Sequence, residues 1–522
     1  ARTHASVETT SEQQRVTTLY PCTNSSQQGS HATKLVCKST SLSASPPAIA
    51  TGANSTGSIE GFHITNCTQG PTVLSIAYGW TGVLHDLSIS VNAARTSLSS
   101  LININASPSV SLTNLKLSVH STLDAAVIAT NSSLTVVDDE EHQYLADSVV
   151  SLFALVHTAL AQATDIGIDY TGANGIQGIN SNLTCTRCKF YQHGILTSSR
   201  KPVSAIYLTS QYLVRGYLTL SIASSNFTPS HDVPIAARDS VISATNITHI
   251  WISESRFNLH RFNGGRERDR DLLLFLLLLL ILMRLYPVGL SALEFSGCQT
   301  TITDSHFFDL RTPRPNAVLL ASQSGLSNPE AAAKTTTTNT ESEIAPAPIG
   351  RRGSLTLTKC AFYNNHIHRD GSAIVFVHKQ LTVITDCTFR NNSALLYGAL
   401  ALAGADYLGS TSVVTATITN TTFIDNTSSR AGGAIYSDGA FSTTVEQCTF
   451  VRNYASRGGA IGIAPVTALY DRLPTIIKHS TFDSNVAGMA SDRLPYIHQF
   501  CFIFIIIIIV VVILIIKFDR YS

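Results

Sequence analysis

The most constraining feature of this sequence is a set of phenylalanines that recur at similar intervals with the same neighbours. An apolar residue stands five positions before each ring, a small residue two before, and an asparagine three after. The clearest examples, about 27 to 34 residues apart, are Phe362, Phe389, Phe423, Phe450 and Phe482, followed by Asn365, Asn392, Asn426, Asn453 and Asn485. Internal periods of this length indicate a solenoid, because one repeat cannot bury its own apolar face.

Each repeat is predicted to form two or three short strands. Apolar and small residues alternate with polar ones at period two, and the segments are rich in Thr, Val, Ile and Phe. Equivalent residues of successive coils would then stack at the spacing of neighbouring strands, about 4.8 Å. The phenylalanines are predicted to line one interior column, where burial of each ring contributes roughly 1.5 to 3 kcal/mol.

The other aligned columns have structural interpretations as well. Cys360, Cys387 and Cys448 stand in the small-residue column, and we interpret them as packing residues rather than disulfide partners. The Asn column is predicted to lie at a bend, with left-handed backbone and amide pairing between successive coils. A glycine-containing motif follows each asparagine by about six residues and is predicted to form a sharp corner. Its fullest form contains Gly432, Gly433, Gly458 and Gly459.

The same frame extends upstream, where the Asn column is absent. Phe190, Phe227, Phe257 and Phe307 carry the apolar and small columns. Cys188 falls in the small column, so packing is favoured over zinc or redox chemistry for the motif that it forms with Cys185.

The repeats divide the chain into five predicted regions. The clear repeats span 354–490, degenerate coils with an apolar insertion near 266–285 span 51–321, and a flexible Thr/Pro-rich loop spans 322–353. The N-terminal region 1–50 is predicted to be irregular. Region 491–522 is predicted to form a transmembrane helix and a short cytoplasmic tail.

Two apolar runs have competing interpretations. Leu272 to Met283 is too short to cross a bilayer of about 30 Å, and either an unspliced intron or an interior helix explains it. Phe500 to Ile516 reaches the lower limit for a membrane span, and Lys517 and Arg520 beyond it predict a cytoplasmic C-terminus. An error of gene prediction is the alternative for this run too.

Two repeats pair a Phe-x-x-Asn motif with a Gly-Gly-Ala-Ile motif, namely Phe423 and Asn426 with Gly432 to Ile435, and Phe450 and Asn453 with Gly458 to Ile461. These paired motifs resemble the repeats of chlamydial polymorphic outer membrane proteins. Similar repeats occur in predicted surface proteins of protists. The resemblance implies an all-β, right-handed parallel β-helix solenoid of the pectin-lyase-like class, used for adhesion or antigenic display. The bacterial family has a C-terminal β-barrel, whereas a single apolar helix is expected here, which favours a protist protein with one membrane span.

Composition and motifs predict binding rather than catalysis. Charged residues are 13% of the chain and the net charge is +1, so nucleic acid is not an expected partner. Neither a catalytic or metal site nor a cofactor is predicted, because acidic and basic residues do not recur at repeat spacing. The acidic run Asp138 to Glu141, with His142, is interpreted as a solvated loop.

The favoured hypothesis is a non-catalytic cell-surface protein, anchored in a membrane with external repeats, that binds glycans or proteins. A secreted form is the alternative location. A polysaccharide lyase or hydrolase, or a decayed or misannotated gene product, is the alternative function. Acceptor triplets for N-linked glycans, which also arise by chance in such a composition, begin at Asn24, Asn54, Asn66, Asn105, Asn131, Asn182, Asn226, Asn246, Asn391, Asn420 and Asn426.

Overall fold

The strands of each coil pair in parallel with the equivalent strands of the coils before and after, which makes a β-helix. The computed structural model describes residues 22–24, 33–37, 49–65, 71–92, 98–137, 143–158, 160–171, 174–193, 204–210, 218–229, 240–258, 293–309, 311–312, 317–322, 353–367, 373–403, 414–437, 441–464 and 474–488. The predicted insertion near 266–285, most of the predicted loop 322–353, the acidic run and the region 491–522 lie outside these residues.

Three sheets form the long sides of the β-helix, and we call them the first, second and third faces. Within one coil the chain passes along them in that order. The first face contains the strands Thr56–Glu60, Ser133–Val137, Leu160–Thr164, Leu183–Thr186, Thr219–Ala223, His249–Ser253, Gln299–Thr303, Ser354–Thr358, Leu381–Thr385, Val414–Thr419, Phe441–Glu446 and Thr475–Lys478.

The second face carries the phenylalanine column. It contains the strands Thr33–Cys37, Phe62–Thr65, Gly167–Thr171, Lys189–His193, Asn226–Pro229, Arg256–Asn258, His306–Phe308, Ala361–Tyr363, Thr388–Arg390, Thr422–Ile424, Thr449–Val451 and Thr481–Asp483.

The third face returns the chain to the start of the next coil. It contains the strands Ile49–Ala50, Thr72–Ile76, Ser100–Asn105, Asn174–Ile179, Ser204–Thr209, Ser240–Thr245, Leu293–Ser296, Leu319–Ser322, Val375–His378, Leu400–Ala403, Ile435–Ser437 and Ile461–Ile463.

Ten further strands complete the described structure. Three long ones run around corners from one face to the next: Thr81–Asn92, Ser109–Thr130 and Gln143–Val156. Six short ones form a separate narrow sheet: Arg311–Thr312, His366–Ile367, Ser393–Ala394, Thr427–Ser428, Tyr454–Ala455 and Val486–Ala487. Cys22–Asn24 pairs antiparallel with Thr33–Cys37. With Ile49–Ala50, three described strands lie in the region 1–50 that the sequence predicted to be irregular.

The phenylalanine column is confirmed as a continuous stack of rings inside the second face. Neighbouring rings from Phe190 to Phe482 are nearly parallel, with centroids 4.7 to 5.1 Å apart. Eight of these nine rings are buried, but Phe482 is 47% exposed. It belongs to the last described coil and has a stacking partner on one side, so the prediction of an interior position is wrong for this ring.

The Asn column forms the predicted amide ladder. Side-chain nitrogens donate to the side-chain oxygen of the next asparagine at 2.9 to 3.0 Å, from Asn365 through to Asn485. Each nitrogen also donates to a backbone oxygen of the phenylalanine column; Asn426 donates to Phe389. The first four of these asparagines are buried, so the ladder supplies partners to amides that would otherwise be unsatisfied.

The left-handed backbone lies one residue before the Asn column, which corrects the sequence prediction. The positive φ angles belong to Asn364, Asn391, Asp425, Arg452 and Ser484. The reason is geometric, since the ladder asparagine must direct its amide inward while its predecessor makes the turn. The small-residue column repeats this arrangement, because Lys359 and Asp386 precede its cysteines and also have positive φ.

The predicted glycine corners are confirmed, and the two glycines of each pair serve different needs. Gly432 and Gly458 have φ angles of 62° and 61°, which disfavour other residues. Gly433 and Gly459 have no positive φ. A Cβ at Gly433 would collide with the backbone oxygen of Gly459, and one at Gly459 with that of Val486. Close coil stacking therefore requires them.

The cysteines occupy the predicted packing positions. Cys360, Cys387 and Cys448 are buried free thiols, as predicted, and Cys298, for which no position was predicted, is another. Cys185 and Cys188 are also buried, within the apolar and small columns, but they are joined in a disulfide that the sequence analysis did not predict. Within the described residues, no helix is long and apolar enough to cross a membrane.

Candidate binding face

Along each strand of the first face, successive side chains point alternately into the core and outward. In Gln299–Thr303 and Ser354–Thr358, the second and fourth residues are buried and the other three are not. The buried set continues the apolar column five residues before each phenylalanine. Ile302, Leu357 and Ile384 are adjacent in register and fully buried.

The outward set of the first face is uncharged over eight successive described strands, from Leu160–Thr164 to Val414–Thr419. Their sequences, LAQAT, LTCT, TLSIA, HIWIS, QTTIT, SLTLT, LTVIT and VTATIT, contain no Asp, Glu, Lys or Arg. The central outward column is Gln162, Thr184, Ser221, Trp251, Thr301, Thr356, Val383 and Thr417. Six of these eight residues carry a hydroxyl or amide group, and Trp251 and Val383 interrupt the series. Successive positions are about 4.8 Å apart along the solenoid.

Charged residues begin at the corner that follows this face. Arg187 donates two hydrogen bonds of 2.6 Å to Asp165 one coil before, and these bonds hold the pKa of the Asp165 carboxyl below its ordinary value. In the next two coils, Ser224 donates to Glu254 at 2.8 Å. These exposed pairs mark the edge of the uncharged surface.

Trp251 stands out from this surface at its middle. Its side chain is 44% exposed, whereas Trp80, the other tryptophan, is 2% exposed. The imidazole of His249, two residues earlier on the same strand, stacks on the indole with centroids 5.1 Å apart and planes 14° apart. Ser221 and Thr301 flank Trp251 in the adjacent strands. The arrangement presents an oriented aromatic ring with hydroxyl groups beside it.

The third face has one carboxyl in an unusual environment. Burial raises the pKa of Glu294. Its in-register neighbours are Ser243 and Leu320, which supply neither a second carboxylate nor a base. Paired carboxylates are what glycoside hydrolysis ordinarily requires. No group of three or more His, Cys, Asp or Glu residues in the described part of the chain could hold a metal ion.

The buried thiols of Cys298 and Cys448 are poor nucleophiles. Burial raises the pKa of Cys298 to about 12 and also raises that of Cys448, and the thiolate is the reactive form. Their role is to fill the interior.

The residues singled out from the sequence are structural. The phenylalanine and asparagine columns lie inside the second face or at its corner, so apart from the ends of the stack they cannot contact a ligand. Neither Trp251 nor Glu294 was predicted from the sequence. The repeat frame could have identified Trp251, because it precedes Ile252, a residue of the buried apolar column, and alternation places it outward.

Comparison with known proteins supports the fold alone. Residues 291–491 match the family model described as a right-handed β-helix region. No curated protein and no solved structure matches the chain. The matched segment includes every described coil with an Asn ladder and, of the coils without one, the last, which contains Phe307.

Proposed function

We propose that this chain is a non-catalytic surface protein that uses its right-handed β-helix for adhesion, binding or antigenic display, with the first face as the contact surface. The observation that carries the proposal is the uncharged outward surface of eight successive described strands. Hydroxyl and amide groups on a preformed sheet need little ordering when they bind a partner, and removing them from water costs less than removing charges. An extended ligand could contact many coils, each contributing a small share of the binding free energy.

A position outside a cell is part of the same proposal. The repeat motif resembles that of polymorphic outer membrane proteins, and Phe500 to Ile516 would anchor the chain with its repeats external. A secreted protein is the alternative. Surface glycans and proteins are the two ligand classes that such a location offers.

The experiment compares binding of fluorescent protein to intact cells after charges are introduced on different faces. Thr356→Glu with Thr417→Glu places two carboxylates in the outward column of the first face. Ile424→Glu with Val451→Glu is the matched control, since both residues lie at partly exposed positions of the second face. We expect binding to fall at least about tenfold for the first pair, since unpaired carboxylates are costly to cover. Equal binding of all three proteins would contradict the proposal.

A further inference from the structure

We infer that Trp251 and His249 form a subsite for a neutral saccharide, with the indole as the platform for one sugar ring. This inference rests on the proposed function, since it names the ligand class that the first face would take. An exposed tryptophan in the middle of a hydroxyl-rich sheet leaves a large apolar surface in water. A ligand with one apolar face and a polar edge would cover it.

The geometry of the pair favours a flat, ring-shaped ligand. Because His249 stacks on the indole at 14°, the indole is held in a fixed orientation before any ligand arrives. Prearranged side chains lose little conformational entropy on binding. A pyranose ring presents axial C–H groups on one face, and these pack against the π surface of an indole as other flat rings do.

The groups around the indole match the edge of such a ring. Ser221 and Thr301 carry hydroxyls in the adjacent strands, in register with Trp251. Gln299 carries an amide beside His249. Hydroxyls and amides both donate and accept hydrogen bonds, which suits sugar hydroxyls.

The charge distribution selects a neutral saccharide over an acidic one. No Lys or Arg lies among the outward positions of the eight described strands, so a uronate carboxylate would lose water without gaining a permanent cation. The coil spacing allows further residues of an extended polysaccharide to contact the hydroxyls of Thr301 and Thr356.

The test uses tryptophan fluorescence of the full chain, titrated with cellohexaose, mannohexaose and chitohexaose. Because Trp80 is buried and Trp251 is exposed, acrylamide quenches Trp251 selectively. We expect at least one neutral hexasaccharide to protect Trp251 from acrylamide and to shift its emission. Trp251→Ala should weaken the affinity for that sugar, measured by calorimetry, roughly tenfold, the loss expected for one stacked ring.

Two further variants separate a saccharide subsite from a structural role. Trp251→Phe should retain part of the affinity, because a smaller aromatic ring remains. Tyr78→Ala removes an aromatic ring that is 64% exposed and lies outside the eight strands, and it should leave the affinity unchanged. Circular dichroism establishes that each variant is folded.

Three results would overturn the inference. The first is that none of the neutral hexasaccharides protects Trp251 from acrylamide. If Trp251→Ala nevertheless lowers cell binding, the ligand at this position is a protein. The second is tighter binding of hexagalacturonate than of every neutral sugar. The third is unchanged sugar affinity of Trp251→Ala. If the Thr356→Glu and Thr417→Glu pair meanwhile loses cell binding, the proposed function stands and only the subsite fails.

Discussion

The side-chain nitrogen of Asn426 donates a 3.0 Å hydrogen bond to the side-chain oxygen of Asn453, one coil further along the solenoid. Both residues are fully buried. The oxygen of Asn426 in turn accepts a bond of the same length from Asn392. A polar residue inside a β-helix thus serves as a connector between coils, because each amide has donors and acceptors on both sides.

Replacing Asn426 with alanine should destabilise the coils around it. The change removes partners from the backbone oxygen of Phe389 and from two neighbouring amides, and unsatisfied buried groups cost about 1 to 3 kcal/mol each. Urea unfolding followed by circular dichroism measures the loss. Asn391→Gly is the control, since Asn391 is exposed and glycine tolerates its φ of 53°. Equal unfolding midpoints for the two variants would contradict the ladder.

Removal of a ring should cost more inside the phenylalanine column than at its end. Phe450 is fully buried between two rings, whereas Phe482 is 47% exposed and, among the described rings, stacks only on Phe450. Phe450→Ala should therefore lower the free energy of unfolding by about 3 to 5 kcal/mol, and Phe482→Ala by less than half as much. Amide hydrogen exchange of the strands 422–424 and 449–451 locates the effect. Similar losses for both variants would contradict the register.

The corner pair of Asp165 and Arg187 gives a pH dependence of defined sign. The hydrogen bonds from Arg187 lower the pKa of the Asp165 carboxyl from its ordinary value of 3.8. A lowered folded pKa contributes stability that is present above pH 3.8 and is lost as the pH falls through the folded pKa. In Arg187→Asn, carboxyl NMR should show the Asp165 pKa rising toward 3.8. The stability at pH 7 should change little because the pair is exposed. An unchanged pKa would mean that the pair does not form in solution.

Burial predicts which acceptor asparagines can carry glycans if the chain is secreted by a eukaryotic cell. Asn391 and Asn420 are exposed at corners, while Asn426 is buried in the ladder. We expect mass spectrometry of glycopeptides to find occupancy at Asn391 or Asn420 and none at Asn426. A glycan on Asn426 in folded protein would be incompatible with the ladder.

Much of the fold follows from the sequence because a solenoid repeats its interior. The spacing of Phe362, Phe389 and Phe423 was enough to predict the stack, and the position of Cys360 was enough to predict a packed thiol. The left-handed turn was predicted at Asn365, but Asn364 makes it. The repeat identifies the column that is constant from coil to coil, whereas the turn is made by the preceding residue, whose type varies.

The candidate site was harder to predict, because a binding face needs no repeated residue. Trp251 interrupts a column of mostly hydroxyl side chains, and nothing in its immediate sequence distinguishes it from a core tryptophan until the register is known. Glu294 is similar, since the cause of its raised pKa is burial, and burial depends on tertiary structure.

The proposed function requires the first face to be one continuous surface across the segment 323–352. Paramagnetic labels at Thr184 and Thr417, introduced through a non-cysteine amino acid, test this by electron–electron resonance. These positions lie six coil steps apart in one column, so we expect a single narrow distance of roughly 29 Å. A broad distribution, or a peak well away from that distance, would show that the coils before and after the segment do not share one face.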